Sequence, residues 1–239
     1  MAGHSKWKNI KHKKEKEDAK KGKVFTRLAK EIMVIARDGG PDPASNARLR
    51  FLIDKAKEAN MPKENIERAI KKGSGKVEDC NYEQIIYEGY GLHGSAVMIE
   101  ALSDNKNRTA SDLRHYFNKH GGNLAESGAV AWMFEHKGQL DIAMDGRSQD
   151  AMLELLLQCA VDDIKFDEPD IAQVYCQVKE LDSVRKQIEG IGPQIKSLQI
   201  VWLAKEEIEF ASTEQEEQAI NFMEGLEELD DVQNVYTNF

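Results

Sequence analysis

The spacing of apolar residues changes once along this chain, at the glycine-rich segment Gly73-Ser74-Gly75. Before this segment, apolar side chains recur at steps of three and four residues, which is the period of an amphipathic helix. After it, helical stretches alternate with short segments in which every second residue is apolar, the period of a half-buried strand. This pattern predicts an N-terminal helical domain followed by α+β structure.

Three helices are predicted before the glycine-rich segment. The first covers about residues 17–38, and the second begins after Asn46, whose side chain suits an N-cap. The third follows Pro62, which is favoured in a first helical turn, and ends at Gly73. With the lysine-rich arm that precedes them, these helices define a predicted domain of residues 1–79.

The remaining residues predict two α+β units. Residues 135–204 contain a β-α-β-β-α-β succession, the ferredoxin-like split pattern. The flanking segments, residues 80–134 and 205–239, are each too short for such a unit, but together they supply its two helices and enough strands. We therefore predict an α+β multidomain protein in which the 135–204 domain is inserted into a second, discontinuous α+β domain.

Three local features are predicted in this second domain. Residues 129–134 read as a strand, and the alternation of Ile208 and Phe210 with glutamates predicts another strand. The pairing of Thr109 with Asp112 resembles a capping box, which predicts that Thr109 caps a helix. A helix N-terminus at this position is also able to hold an anion.

Charge is distributed unevenly between the two ends of the chain. Residues 1–80 carry a formal charge of +9 and residues 81–239 one of −18, which together give the net charge of −9. Such asymmetry is typical of a protein that binds a polyanion through one end. Phosphates would repel the acidic remainder, so the basic end would face the polyanion and the acidic domains would be left for protein partners.

The candidate nucleic-acid-binding residues lie in the arm and the first two helices. Lysines neutralise backbone phosphates and release condensed counterions. Trp7, between Lys6 and Lys8, is placed to stack on an unpaired base. Arg48 and Arg50 are the best candidates for shape or base sensitivity, because a guanidinium forms bidentate contacts. The predicted contacts are Lys6, Trp7, Lys8, Lys11, His12, Lys13, Lys14, Lys20, Lys21, Lys23, Arg27, Lys30, Arg48, Arg50 and Lys55.

The helical cations also have an ordinary explanation. Asp54, Glu58, Glu64 and Glu67 lie within a turn or two of basic residues and are able to pair with them along the helices. The sequence leaves both interpretations open for this region.

Several classes of protein are excluded by the motifs. The sequence contains no GxSxG, P-loop or HExxH motif, and its histidines lack metal-ligand spacing, so we expect neither an enzyme nor a cofactor or metal site. The segment Gly89–Gly94 matches GxGxxG, but a strand follows it, which predicts a hairpin. No apolar run is long enough for a membrane span or a secretory signal. Three scattered cysteines suggest reduced thiols in a cytoplasmic protein.

Several sequence blocks, taken in order along the chain, resemble the YebC family of bacterial regulatory proteins, whose mitochondrial relatives act as translational activators. The blocks that carry the resemblance are Met1-Ala-Gly-His-Ser-Lys-Trp-Lys-Asn-Ile-Lys-His-Lys-Lys14, Asp18-Ala-Lys-Lys-Gly-Lys-Val-Phe25, Asn46-Ala-Arg-Leu-Arg50, Asn60-Met-Pro62, Tyr87-Glu-Gly-Tyr-Gly91, Asp104-Asn-Lys-Asn-Arg-Thr109 and Gly121-Gly-Asn-Leu124. The resemblance implies three domains, with the last inserted into the second. It also implies a nucleic-acid-binding regulator.

Two functional hypotheses follow. The first is a DNA-binding transcriptional regulator that grips nucleic acid through the basic arm and the helical domain. The second is a ribosome-associated translation factor that binds ribosomal RNA and relieves stalled elongation, with the acidic domains contacting ribosomal proteins. The resemblance leaves the choice between DNA and RNA open, since family members are described in both ways.

Overall fold

A computed structural model describes residues 21–76 and 81–239, and for Lys21 and Lys76 it describes the backbone only. Within these residues it contains seven α-helices and two antiparallel four-stranded sheets. The helices are α1 (Lys21–Gly39), α2 (Ala47–Glu58), α3 (Lys63–Lys71), α4 (Lys106–His120), α5 (Gln149–Leu156), α6 (Leu181–Ile191) and α7 (Thr213–Glu227). The strands are β1 (Glu83–Tyr90), β2 (Ala96–Ser103), β3 (Asn123–Ala125), β4 (Phe134–Ala143), β5 (Asp163–Glu168), β6 (Ile171–Gln177), β7 (Ile195–Ala204) and β8 (Val232–Thr237).

Helices α1, α2 and α3 share a hydrophobic core that includes Ile32, Leu49 and Ile66. Asn46 caps α2 as predicted, with its side-chain oxygen 3.1 Å from the backbone nitrogen of Leu49. Its amide group also donates to carbonyl oxygens near the end of α1, so one side chain joins the two helices. The chain then continues from α3 into a π-helical turn, Lys72–Lys76.

The first sheet has the strand order β3-β1-β2-β8. One face is covered by α4 and α7, and the core between them includes Ile99, Leu113, Phe117 and Met223. The predicted hairpin is confirmed: β1 pairs with β2 from Glu83–Ser103 to Tyr90–Ala96 through a short 3-10 turn.

The second sheet has the strand order β5-β6-β4-β7. Helices α5 and α6 cover one face, with Leu140, Val174 and Ile188 in the core. The predicted succession of strands and helices in this part of the chain is confirmed. The two sheets meet through a further apolar cluster that includes Met98 and Tyr236 from the first sheet and Tyr175 and Val201 from the second.

Two predicted strands are wrong. Residues 129–134 do not form a strand, because the Glu88 carboxylate accepts hydrogen bonds from the backbone nitrogens of Gly128, Val130 and Ala131, which are then unavailable for a ladder. The segment around Ile208 and Phe210 is irregular; both side chains pack on the core of the first sheet, which accounts for their alternation. The division of the chain at residues 79, 134 and 204 stays a prediction. No helix in the described ranges is both long and apolar enough to cross a bilayer.

Gly89 lies where β1 packs against Phe117 of α4. A Cβ atom at this position would be 2.6 Å from the Phe117 ring and 2.9 Å from the carbonyl oxygen of Asn123. We expect Gly89→Ala to lower the free energy of unfolding by about 1–3 kcal/mol, since overpacking forces the neighbours to move. The measurement is chemical denaturation.

The control for this variant is Gly190→Ala in α6, where nothing lies within 4 Å of the added Cβ. Alanine is a better helix former than glycine, so this change should stabilise the protein by about 0.5–1 kcal/mol. Equal effects of the two substitutions would contradict the packing argument.

Candidate nucleic-acid interface

The fifteen predicted contact residues fall into three groups. Those of the arm, Lys6, Trp7, Lys8, Lys11, His12, Lys13, Lys14 and Lys20, lie outside the described residues. Lys21 begins α1, with only its backbone described. The structure places the remaining six side chains: Lys23, Arg27 and Lys30 on α1, and Arg48, Arg50 and Lys55 on α2.

Lys30 is not available to a phosphate, which corrects its prediction as a contact residue. Its Nζ atom lies 2.8 Å from Oδ1 of Asp231, and both side chains are only 9% exposed. It also donates to the backbone oxygen of Asp230. The lysine therefore holds α1 against the turn between α7 and β8.

Asp231 is the centre of this contact. Besides Lys30, its carboxylate accepts hydrogen bonds from Arg108 at 2.8 Å, from the Thr109 hydroxyl at 2.8 Å and from the Ser103 hydroxyl at 3.2 Å. Burial alone would raise the pKa of Asp231, but the bonds from Arg108, Lys30 and Thr109 lower it to about 2. One carboxylate thus joins α1, β2, α4 and the start of β8.

The Asp104–Thr109 motif supplies two of the four side chains that donate to Asp231, Arg108 and Thr109. Asn105 caps α4, with its side-chain oxygen 3.2 Å and 3.1 Å from the backbone nitrogens of Asn107 and Arg108. The prediction that Thr109 is the cap is therefore wrong: Thr109 is buried in the first turn and points to Asp231 instead. This use of the motif could not be read from the sequence, since Asp231 is more than a hundred residues away.

Lys23 and Arg50 are also paired within the chain. Lys23 Nζ lies 2.8 Å from the backbone oxygen and 3.2 Å from Oε2 of Glu228. Arg50 Nη2 lies 3.2 Å from Oε1 of Glu189 on α6. Arg50 therefore helps to dock α2 on the second α+β unit, and its contact with nucleic acid stays a prediction.

A cleft of about 710 Å³ lies between α1, the start of α4 and the turn before β8. Its lining carries both signs of charge, since it includes Lys23 and Arg27 as well as Glu228 and Asp230. Arg27 is half-buried there, and within the described ranges it forms no ion pair. The mixed lining makes the cleft a poor site for a free anion.

Two exposed cationic faces remain on the helical domain. Arg48 and Lys55 are seven residues apart, so they lie on the same side of α2. Arg68 and Lys71 are exposed on α3, and the half-buried Lys72 follows them, four residues after Arg68. Among residues 21–76 and 81–239 these five side chains form no ion pair. Arg48 does lie near the buried carboxyl of Glu100. Burial raises the pKa of Glu100, and the charge of Arg48 opposes this with a smaller lowering effect.

The described ranges contain few other groups suited to metal binding or thiol chemistry. They contain no group of three or more His, Cys, Asp or Glu side chains able to hold a metal ion. Cys159 and Cys176 are free and buried, and burial raises the pKa of the Cys176 thiol to about 11. Cys80 lies outside the described residues.

Two family models match nearly the whole chain. Residues 5–76 match the TACO1/YebC protein N-terminal domain, and residues 82–239 match the TACO1/YebC second and third domain.

Relatives and a solved structure agree with this match. Three proteins named "probable transcriptional regulatory protein", from Persephonella marina, Desulfosudis oleivorans and Pelotomaculum thermopropionicum, are 44%, 46% and 48% identical. Each comparison covers 100% of this chain and 96%, 96% and 98% of the respective relative. The crystal structure of a conserved hypothetical protein from Aquifex aeolicus is 44% identical, with a TM-score of 0.83 over 93% of this chain and 91% of the other. The chain belongs to the TACO1/YebC family.

Proposed function

We propose that this protein is a DNA-binding transcriptional regulator that holds nucleic acid through its lysine-rich arm and its helical domain. The observation that carries the proposal is the pair of exposed cationic faces on α2 and α3, which lack acidic partners among the described residues. The names of the relatives support a regulatory role and not an enzymatic one.

In the proposed mechanism, some basic residues bind nucleic acid and others position the helical domain. Lysines of the arm, with Lys55, supply affinity that does not depend on sequence, because each phosphate they neutralise releases counterions. Arg48 is the remaining arginine of α2 that is free to form a forked contact. Lys30 and Arg50 instead fix the helical domain on the acidic body. Phosphates repel that body, so the basic end faces the nucleic acid.

We also propose the finer architecture that the sequence predicts, with residues 135–204 inserted between the parts of a discontinuous domain. The first sheet supports this arrangement, because it combines β1, β2 and β3 with β8 from the other side of the inserted segment. We place the protein in the cytoplasm, where nucleic acid and reduced thiols are both found.

Binding of ribosomal RNA is the second candidate function. The observation that favours it is Trp7 between Lys6 and Lys8, since an aromatic side chain in a basic arm suits stacking on unpaired bases. Co-sedimentation with ribosomes from a lysate, compared with shifts of promoter fragments at physiological salt, distinguishes the two targets.

The double variant Arg48→Gln with Lys55→Gln tests the exposed face of α2. We expect it to weaken binding to a generic DNA duplex about tenfold and to lower the slope of log affinity against log salt by about 2, since each lost phosphate contact removes about 0.9. Fluorescence anisotropy between about 50 and 200 mM salt measures both quantities.

A matched control is Lys57→Gln with Lys63→Gln, which removes the same net charge. Both of these lysines already pair with acidic neighbours, Asp54 at 2.8 Å and Glu67 at 3.5 Å. This variant should change the slope much less. Equal slopes for the two double variants, or a flat salt response of the unmodified protein, would overturn the proposal.

A further inference from the structure

Two aromatic side chains stand exposed beside each other on the acidic part of the molecule. Trp132 is 67% exposed and Tyr90 is 39% exposed. The Trp132 indole nitrogen and the Tyr90 hydroxyl donate to the same acceptor, the backbone oxygen of Ala129, at 3.0 Å and 3.1 Å. Their polar atoms are thus used within the protein, and solvent is in contact with ring surface. We call Trp132 and Tyr90 the aromatic pair.

The loop that carries Trp132 is held in place from two sides. The Glu88 carboxylate, itself only 4% exposed, accepts hydrogen bonds from Gly128, Val130 and Ala131. Burial would raise the pKa of Glu88, but these backbone donors lower it overall, so the carboxylate stays ionised at neutral pH. On the other side, Lys205 Nζ donates to the backbone oxygen of Trp132 at 2.7 Å. An exposed aromatic on a fixed loop loses little conformational entropy when a partner binds.

The surroundings of the aromatic pair are acidic. Glu126 lies in the same loop, Glu135 is three residues beyond Trp132, and Glu206 follows Lys205; all three are exposed. Two cations lie nearby and both are engaged within the protein: Lys205 donates to the backbone oxygen of Trp132, and Lys137 is paired with Glu135 and Asp162. A phosphate would be repelled here, whereas a guanidinium or ammonium group would be attracted by the carboxylates and by the ring faces.

We propose that the aromatic pair is a docking site for an extended arginine-rich segment of a protein partner. An arginine of the partner stacks on Trp132, and neighbouring arginines face Glu126, Glu135 and Glu206. This surface lies on the α+β part of the chain and does not depend on nucleic-acid binding by the helical domain. Failure of one proposal therefore leaves the other intact.

The test uses a fluorescently labelled twelve-residue peptide in which arginine alternates with glycine. We expect Trp132→Ala in the full chain to weaken peptide binding at least about tenfold, as for an aromatic residue at the centre of an interface. Leu157→Ala is the control, because Leu157 is 64% exposed at the end of α5, outside this loop, and its truncation removes a similarly exposed apolar group. Glu126→Gln with Glu206→Gln should lower the salt dependence of peptide binding and leave Trp132 in place.

Several outcomes would overturn the proposal. One is that the unmodified protein does not bind the peptide, and another is that Trp132→Ala binds it as well as the unmodified protein. Loss of binding to a labelled oligothymidine in Trp132→Ala, with peptide binding unchanged, would make the site a base-stacking surface instead. Dissociation of a dimer by Trp132→Ala in sedimentation would make the occupant a second copy of this chain. Thermal unfolding of each variant shows whether its fold is retained.

Discussion

Replacing Asp231 with alanine is expected to lower the free energy of unfolding by about 3–5 kcal/mol, because it leaves a buried cation without its partner. Lys30 is the cation most affected, since its side chain is only 9% exposed. Arg108 and Thr109 lose the same acceptor. Urea denaturation measures the change, and hydrogen exchange of α1 shows whether the helix has separated from the body.

Asp230→Ala is the matched control for this variant. Asp230 is the adjacent residue in the same turn, but its side chain is 84% exposed and lies 3.9 Å from Lys23. Substitutions at such positions change stability by no more than about 0.5 kcal/mol. Similar effects at positions 230 and 231 would contradict the role assigned to Asp231.

The same carboxylate makes a contribution to stability that depends on pH. Its pKa in the folded protein is about 2, below an unfolded value of about 3.9. The stabilisation, about 2.5 kcal/mol from a shift of this size, is therefore complete above about pH 4 and is lost as the pH falls towards 2. Asp231→Asn should show a correspondingly weaker loss of stability over this range.

Deletion of residues 1–20 is expected to weaken binding to duplex DNA at least about a hundredfold at low ionic strength. The deleted arm contains seven lysines, and if each neutralises one phosphate the salt slope falls by about 6. Because α1 begins at Lys21, the truncation leaves every described helix complete. Anisotropy titrations at several salt concentrations measure the effect.

Two comparisons make this deletion informative. Exchange of the seven lysines for arginine keeps the charge and should keep the salt slope. The truncated protein should unfold in one cooperative transition at nearly the same denaturant concentration as the full chain. Tight, salt-sensitive binding by the truncated protein would place the main contact on the helical domain alone.

The periodic elements of this protein could be predicted from the sequence, and the elements governed by distant partners could not. The helix after Asn46 has a local start signal and a regular apolar face, so prediction and structure agree. Residues 129–134 have the composition of a strand, but a carboxylate from β1 takes up their backbone donors. The alternation at Ile208 and Phe210 reflects packing on the core and not a ladder.

The candidate site likewise has features that could be predicted from the sequence and features that could not. Charge clustering identifies the basic end, since it needs only the residue types. It cannot tell a binding cation from a positioning one, because the acidic partners of Lys30 and Arg50 lie at positions 231 and 189. Arg48 and Lys55 keep their predicted accessibility since no acidic residue of another element pairs with them in the described ranges.

The hydrogen-bonded contact centred on Asp231 limits how freely parts of this protein can be exchanged with those of a relative. Its members come from residue 30, from residues 103–109 and from residue 231, which are far apart in the chain. A chimera that takes its first eighty residues from one relative and the rest from another keeps this contact only when the two parents supply side chains that can pair with each other. The helical domain is thus a poor module for grafting, even though its own core is complete.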